Sequence, residues 1–264
     1  MISPHKKRLL IVGNWKMHFT TQQASLLLHR LHERIRIHKN IEVILAPSSL
    51  HLQPLSMQID RRKFRLAAQN AYHKDEGAYT GEVSFTMLAG LVHYAIIGHS
   101  ERRHIFKESH DEVRDKVAAA VRNGITPILC VGETQEEYLN GETNTVLNDQ
   151  LTTGLSNLTP REVGSSVIAY EPVWAIGSGK PATPAYAEAA AKKIRSIVKE
   201  LYGPKAASRV RIIYGGSTNA SNARAYLDEE NIDGLLPGGS SINYQEFSGM
   251  IDAAYRSVHK LSLE

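Results

Sequence analysis

A few polar residues that interrupt apolar runs are the first place to look for chemistry. Glu171 closes the run Val167-Ile168-Ala169-Tyr170, and Pro172, Trp174 and the small residues Gly177, Ser178 and Gly179 follow at once. A carboxylate beneath a stiff tip between hinges suits a general base that a closing lid would desolvate. His99 follows the run Tyr94–Ile97 through Gly98, and Ser100 after it is positioned to open a helix. A helix N-terminus disfavours imidazolium, so this ring is expected to stay neutral and donate a hydrogen bond. Lys16 follows Gly13-Asn14-Trp15, where it could neutralise an anionic substrate and a developing oxyanion. Asn14 adds a neutral donor. Glu101 either orients Lys16 or caps the helix after His99. Taken singly, the three charged or titratable residues also read as an ion-paired acid, a structural histidine and a surface lysine.

Two turns, Gly215-Gly216-Ser217 and Gly238-Gly239-Ser240, are rich in glycine and follow apolar runs. Such turns leave backbone N–H groups free and let a ligand approach where no Cβ obstructs it. Together they fit a phosphate held by main-chain donors. Base, neutral electrophile, cation and phosphate cradle suit removal of a carbon-bound proton next to a carbonyl, in a substrate the size of a sugar phosphate. No nucleophile–base pair and no cofactor motif accompanies them.

Something must bring these distant residues together. Eight β-rich runs recur: Leu9–Val12, Ile41–Leu45, Phe64–Ala68, Tyr94–Ile97, Thr126–Val131, Val167–Tyr170, Val210–Tyr214 and Ile232–Leu236. Most are apolar on both faces, as strands of a covered parallel sheet are. Helical patterns lie between them. Ala24, Leu27, Leu28, Leu31 and Ile35 make one apolar stripe. Thr183-Pro184 predicts a capped start, Ala187, Ala190, Ile194, Ile197 and Leu201 an inward face, and Gly203-Pro204 a stop. Eight strands, each followed by a helix, predict a single (β/α)8 barrel over residues 1–264, with Met1–Lys7 a flexible extension. An open doubly wound sheet is the alternative, but no strand is followed by the glycine fingerprint of a dinucleotide site. In such barrels the C-terminal ends of the strands form the reactive rim, where Lys16, His99, Glu171 and both glycine turns all fall.

Bulk composition narrows the field further. At 264 residues, 42% apolar and 22% charged, the chain is an ordinary globular protein. Its single cysteine, Cys130, excludes an internal disulfide framework and sits in an apolar run, as a small buried hydrophobe would. The 12 histidines lack ligand spacing, so no metal site is expected. No apolar stretch is long enough for a membrane span, and the start lacks the apolar core of a signal peptide. The expectation is a cytoplasmic protein that binds no membrane. The basic run Arg61-Arg62-Lys63-Phe64-Arg65 reads as a solvated lead-in to a strand, and no nucleic-acid partner is expected.

The stretches "GNWKM", "AQN" (68–70), "GAYTGE" (77–82), "IIGHSERR" (96–103), "CVGET" (130–134), "YEPVWAIGSGK" (170–180), "YGGS" (214–217) and "DGLLPGGS" (233–240) closely resemble the triosephosphate isomerase family. The match runs from Asn14 to about Ser240. It implies a TIM barrel, without cofactor or metal, that interconverts dihydroxyacetone phosphate and D-glyceraldehyde 3-phosphate in glycolysis and gluconeogenesis. By that resemblance Glu171 takes a proton and returns it to the neighbouring carbon, while His99 polarises the carbonyl. Asn14 and Lys16 bind substrate. Ser100 holds Glu171 while the lid is open. The main chains of Gly177, Ser217, Gly238 and Gly239 hold phosphate. Pro172, Trp174, Ile176, Ser178 and Lys180 belong to the lid. Ile176 and Leu236 clamp the base dry, and Tyr214 and Ser217 latch the closed lid. Closure shields an enediolate that would otherwise lose its phosphate.

The resemblance also implies a homodimer, in which the loop carrying Thr80 and Glu82 reaches Met17 and His18 of a second copy. Four positions depart from the family's usual residues. His18 replaces asparagine, Ser178 threonine, Pro237 an apolar residue, and Ser240 alanine. Proline lacks an N–H, but the expected phosphate donors follow it, so the cradle should survive. Two rival readings stand beside the triose: an isomerase of a four-carbon ketose phosphate, and a non-catalytic phosphate-binding barrel.

Overall fold

Strands in chain order close a barrel, each paired in parallel with the next and the eighth with the first. They are β1 (Leu9–Asn14), β2 (Ile41–Ala46), β3 (Phe64–Ala68), β4 (Tyr94–Ile97), β5 (Thr126–Val131), β6 (Val167–Tyr170), β7 (Arg211–Tyr214) and β8 (Gly234–Leu235). The computed structural model describes residues 7–176 and 181–259. Helices fill the connections and lie outside the strands, as the alternation predicted. Among the described residues no helix is long and apolar enough to cross a membrane.

Apolar side chains fill both sides of the sheet. Leu10, Val12, Ile44, Ile96, Ile128, Val167 and Ile213 pack inside the barrel. A larger cluster, including Leu9, Ile11, Leu31, Leu129, Ile168 and Ile194, fills the layer between strands and helices. This two-sided burial explains why the strand runs are continuously apolar rather than alternating. Cys130 belongs to the inner cluster. Burial first, then the nearby charge of Glu171, pushes its thiol well up, so it stays protonated.

Local rules explain the helices. Thr20 and Gln23 form a reciprocal capping box that starts helix Thr21–Arg34. Its predicted stripe Ala24, Leu27, Leu28, Leu31 and Ile35 is buried. Thr183 caps helix Pro184–Arg209, accepting from the Tyr186 N–H. Gly203, at φ 84°, breaks that helix as expected, but the chain coils again from Pro204 to Arg209. Proline suits the first turn of this second segment because the N–H it lacks has no partner there. Leu201 departs from the predicted inward face and is 42% exposed. In the turn ending at the break, Tyr202 turns inward instead and donates its hydroxyl to the Leu155 carbonyl at 2.7 Å.

Strand ends differ by a residue or two from the pattern. Val210 belongs to the helix end, its N–H donating to the Ala206 carbonyl, so β7 starts at Arg211. The predicted run Ile232–Leu236 shortens to Gly234–Leu235 because β8 pairs with β1 at two residues and with β7 at one. Beyond it the ladder continues as single bonds, Asp233 N–H to Ile212 O and Leu236 N–H to Tyr214 O on the β7 side, and Leu10 N–H to Asp233 O and Asn14 N–H to Pro237 O on the β1 side. Residues 1–6, where most of the expected extension falls, lie outside the described residues. Lys7 is tied down, its Nζ donating to the Val210 carbonyl at 2.6 Å.

Candidate active site

Parallel strands end together, so one rim of the barrel collects the residues that follow them. Asn14 ends β1, His99 stands two residues past β4, Glu171 comes directly after β6, and the glycine turns follow β7 and β8. A cavity of about 350 Å³ opens there. Asn14, Lys16, His18, His99, Ile176, Ser217, Leu236, Gly238 and Gly239 are among its lining residues.

Lys16 reaches this cavity from an unusual backbone, with φ 51°. A left-handed conformation at a residue with a Cβ costs about 1–3 kcal/mol and persists only where the surroundings enforce it. Here Asn14 Oδ1 accepts from the Lys16 N–H at 3.0 Å, and Gln69 Nε2 donates to the Lys16 carbonyl at 2.8 Å. The Lys16 ammonium donates to Glu101 Oε1 at 2.5 Å. Glu101 therefore orients the lysine.

His99 caps helix Ser100–His104, and its Nδ1 accepts from the Glu101 N–H at 3.3 Å. An atom that accepts from an N–H carries a lone pair, so the ring proton sits on Nε2. The Glu101 carboxylate is 3.6 Å from Nδ1 but is already paired with Lys16. Nε2 lies 3.1 Å from Glu171 Oε1.

Glu171 is 2% exposed and is retracted behind His99 instead of lining the cavity. Its Oε2 accepts from the Ser100 N–H at 2.9 Å, a free amide of a helix's first turn. Its Oε1 has no hydrogen-bond partner, the His99 contact being close but off the line of a hydrogen bond. An unpartnered buried carboxylate oxygen is costly in a merely structural role, and it is what a proton acceptor needs. Two glycines make room for it. A Cβ on Gly132 would lie 1.8 Å from the Glu171 carbonyl oxygen, and one on Gly215 would lie 2.8 Å from Glu171 Cγ.

The segment after Glu171 is anchored by a residue to which sequence reasoning assigned no role. Glu133 is fully buried and accepts from Tyr170 Oη (2.9 Å), Trp174 Nε1 (2.8 Å) and Tyr186 Oη (3.0 Å). Trp174 also stacks on Tyr138 at 4.5 Å, and Pro172 is buried beside Glu171. Burial and the Glu133 charge push the Tyr170 hydroxyl well up, which keeps it a donor. In the sequence Glu133 is set apart only by its place after Gly132, the residue that follows β5, which says nothing of its three partners. Glu133→Gln would leave one acceptor oxygen for these three donors. The expected loss of stability is about 1–3 kcal/mol, measured by urea denaturation.

Other expected residues are placed as follows. Tyr214 is buried against Tyr226 (4.4 Å), and its hydroxyl lacks a partner among the described residues. The Pro237 carbonyl accepts from the Asn14 N–H and so links the turn after β8 to the end of β1. Ser240 Oγ donates to the Thr218 carbonyl at 2.5 Å and ties the two glycine turns together. Gly177, Ser178 and Lys180 lie outside the described residues. Met17 and Glu82 border a neighbouring cavity of about 390 Å³, whereas His18 lines the first cavity and Thr80 sits on an exposed loop. Among the described residues no cluster of three histidine, cysteine or carboxylate side chains could hold a metal.

Fold and rim together define a (β/α)8-barrel enzyme of the sugar-phosphate isomerase kind. The family model for triosephosphate isomerase matches residues 9–254. The chain is 43% identical to a triosephosphate isomerase of Symbiobacterium thermophilum over 93% of its own length and 96% of the relative's. It is 42% identical to that of Fusobacterium nucleatum, over 94% and 99% of the two chains, and 42% identical to that of Clostridium tetani, over 93% and 96%. The chain belongs to the triosephosphate isomerase family.

Proposed function

We propose how this chain interconverts dihydroxyacetone phosphate and D-glyceraldehyde 3-phosphate: through an enediolate, with Glu171 as base and neutral His99 as electrophile. The observation that carries this reading is the close approach of His99 Nε2 to Glu171 Oε1, which has no hydrogen-bond partner, at 3.1 Å and beside a cavity that Lys16 lines. Glu171 takes a proton from the carbon bearing the ketose hydroxyl. The electron pair moves to the carbonyl, whose oxygen receives a hydrogen bond and then the proton from His99 Nε2. Glu171 delivers its proton to the adjacent carbon, and His99 recovers one from the other oxygen. Lys16 offsets the charge on substrate and enediolate, and Asn14 steadies Lys16 and the substrate.

The same reading gives phosphate to the main chains of Gly177, Ser217, Gly238 and Gly239. The lid residues Pro172, Trp174, Ile176, Ser178 and Lys180 swing over it. Glu171 then leaves the Ser100 N–H for the substrate, with Ile176 and Leu236 excluding water. Tyr214, whose hydroxyl has no partner among the described residues, supports the latch role given to it and Ser217. A coupled assay on purified protein tests the reading. Triose phosphates turn over, and a four-carbon ketose phosphate does so at least ~10²-fold less efficiently, a margin of about 2.7 kcal/mol. Equal rates on both would assign the four-carbon substrate class instead, and no turnover would leave a binding barrel.

We further propose that the chain works as a homodimer in the cytoplasm, the compartment its lone buried thiol suits. Met17 is 94% exposed and Phe106 65%, and both border the 390 Å³ cavity beside the active site. Apolar exposure of this kind on one face supports a protein interface. The loop bearing Thr80 and Glu82 would fill the corresponding cavity of the partner, near Met17 and His18. Light scattering is expected to give twice the 29.3 kDa chain mass, and Met17→Asp to shift the protein toward monomer.

A further inference from the structure

The starts of the strands form the opposite end of the barrel. There an open cavity of about 580 Å³ lies between helix Pro160–Ser165, the end of helix Pro184–Arg209 and the first residue of β7. Its lining is Lys7, Gly164, Ser165, Ser208, Arg209 and Arg211. Among the described residues that set holds three cations and two hydroxyls, with no carboxylate and no aromatic ring. Gly164 helps to make the space: a Cβ there would already lie 3.3 Å from the Arg209 Cβ.

The carboxylates of this end are spoken for elsewhere. Asp233 Oδ2 accepts from the Ile212 N–H at 2.9 Å and from Arg195 at 3.0 Å, and meets Lys7 only at 3.5 Å. Glu42 is spread over Arg8 (3.7 Å), Arg65 (3.8 Å) and Arg211 (3.5 Å). Two carboxylates thus serve five cations, and Arg209 makes no ion pair among the described residues. Burial, with the charges of Arg195 and Arg211, lowers the Lys7 pKa to about 8 against the opposing pull of Asp233. Excess positive charge around a recess, with Arg209 exposed on its rim, is a setting that favours a multivalent anion.

We propose that this cavity is a second anion site, built for a small multivalent oxyanion of the phosphate class and held by Lys7, Arg209 and Arg211. Arginine offers a planar fork of N–H donors to such a group, and Lys7, which shares Asp233 with Arg195, gains a second countercharge. The lining has no flat apolar surface on which a nucleotide base could stack, so the anion itself is what the site recognises. Its position at the far end of the barrel separates it from catalysis. A ligand there acts on the stability of the folded chain, because it binds only the native state.

Calorimetric titration of the full chain with inorganic pyrophosphate tests this, at constant ionic strength and with saturating triose phosphate in the rim site. The expected result is one uncompeted pyrophosphate per chain and a rise in Tm of roughly 5–10 °C at 100 times Kd. Arg209→Glu, at an exposed position without an ion pair, should weaken this binding at least ~10-fold and leave kcat/KM unchanged. Lys7→Met should weaken it at pH 7 as well. Citrate in a parallel titration separates the sources: tighter pyrophosphate assigns phosphate, and equal affinity widens the class to polycarboxylates. Identical curves for the parent and Arg209→Glu would overturn the proposal. So would complete competition by triose phosphate, or binding of a long oligonucleotide without any of pyrophosphate.

Discussion

Glu171→Asp should lower kcat by about 10²-fold while KM changes by less than about 3-fold, because shortening the side chain by one methylene moves the acceptor more than 1 Å from its working position. The basis is the geometry around the carboxylate. Glu171 is held between Gly132 and Gly215, so its backbone cannot follow a shortened side chain inward without meeting neighbouring main chain. In the proposed reading, phosphate binding falls to the turns at Ser217 and Gly238-Gly239, which line a cavity that Glu171 does not. Turnover and affinity should therefore separate. Glu171→Gln keeps the length and removes the ability to take a proton, and should cost about 10³-fold or more in kcat. Steady-state kinetics on both variants, with the inhibition constant of a non-reacting phosphate ester as the affinity readout, decides the matter. Unchanged kcat in Glu171→Asp would place the base elsewhere. A parallel rise in the inhibition constant would mean that the carboxylate shapes the cradle rather than the reaction.

What could be read from the sequence follows from what a parallel barrel does to its chain. Every strand ends on the same rim, so Lys16, His99, Glu171 and the glycine turns could be brought together by counting strands, without any knowledge of distances. The glycine turns could be placed on that rim for the same reason, although each alone reads equally well as an ordinary tight turn and only the two together suggest a phosphate cradle. Glu133 was not. Its three donors come from positions 170, 174 and 186, and nothing local marks a carboxylate after Gly132 as their shared acceptor. Gln69 was missed likewise, since its targets are the carbonyls of Lys16 and Ala46, which carry no signature in the side-chain pattern. The contact of Glu171 with the Ser100 N–H was expected from the family resemblance alone: it is a rotamer choice, and periodicity is blind to rotamers. The same limit applies to Leu201, where the helix break two residues later decides which neighbour turns inward.

Lys16→Met should lower kcat by about 10²–10³-fold and raise KM as well, since the lysine opposes charge both on the bound phosphate ester and on the forming enediolate. Lys16 is the one lysine or arginine among the described residues that line the cavity, so none of these neighbours can take its place. Loss of the ammonium also strands Glu101, whose Oε1 now lies 2.5 Å from it. A carboxylate left unpaired at the edge of an anion site repels the substrate, so part of the damage belongs to Glu101 and not to the missing lysine. The double variant Lys16→Met/Glu101→Gln separates the two: its KM should recover by several-fold, while kcat stays low because the transition-state charge remains unopposed. Ionic strength gives a second handle. Raising salt should depress kcat/KM of the parent more steeply than that of Lys16→Met, because screening removes an attraction the variant no longer has. Equal salt slopes, or a double variant no better than the single, would show that Lys16 acts through the backbone geometry it adopts at φ 51° and not through its charge.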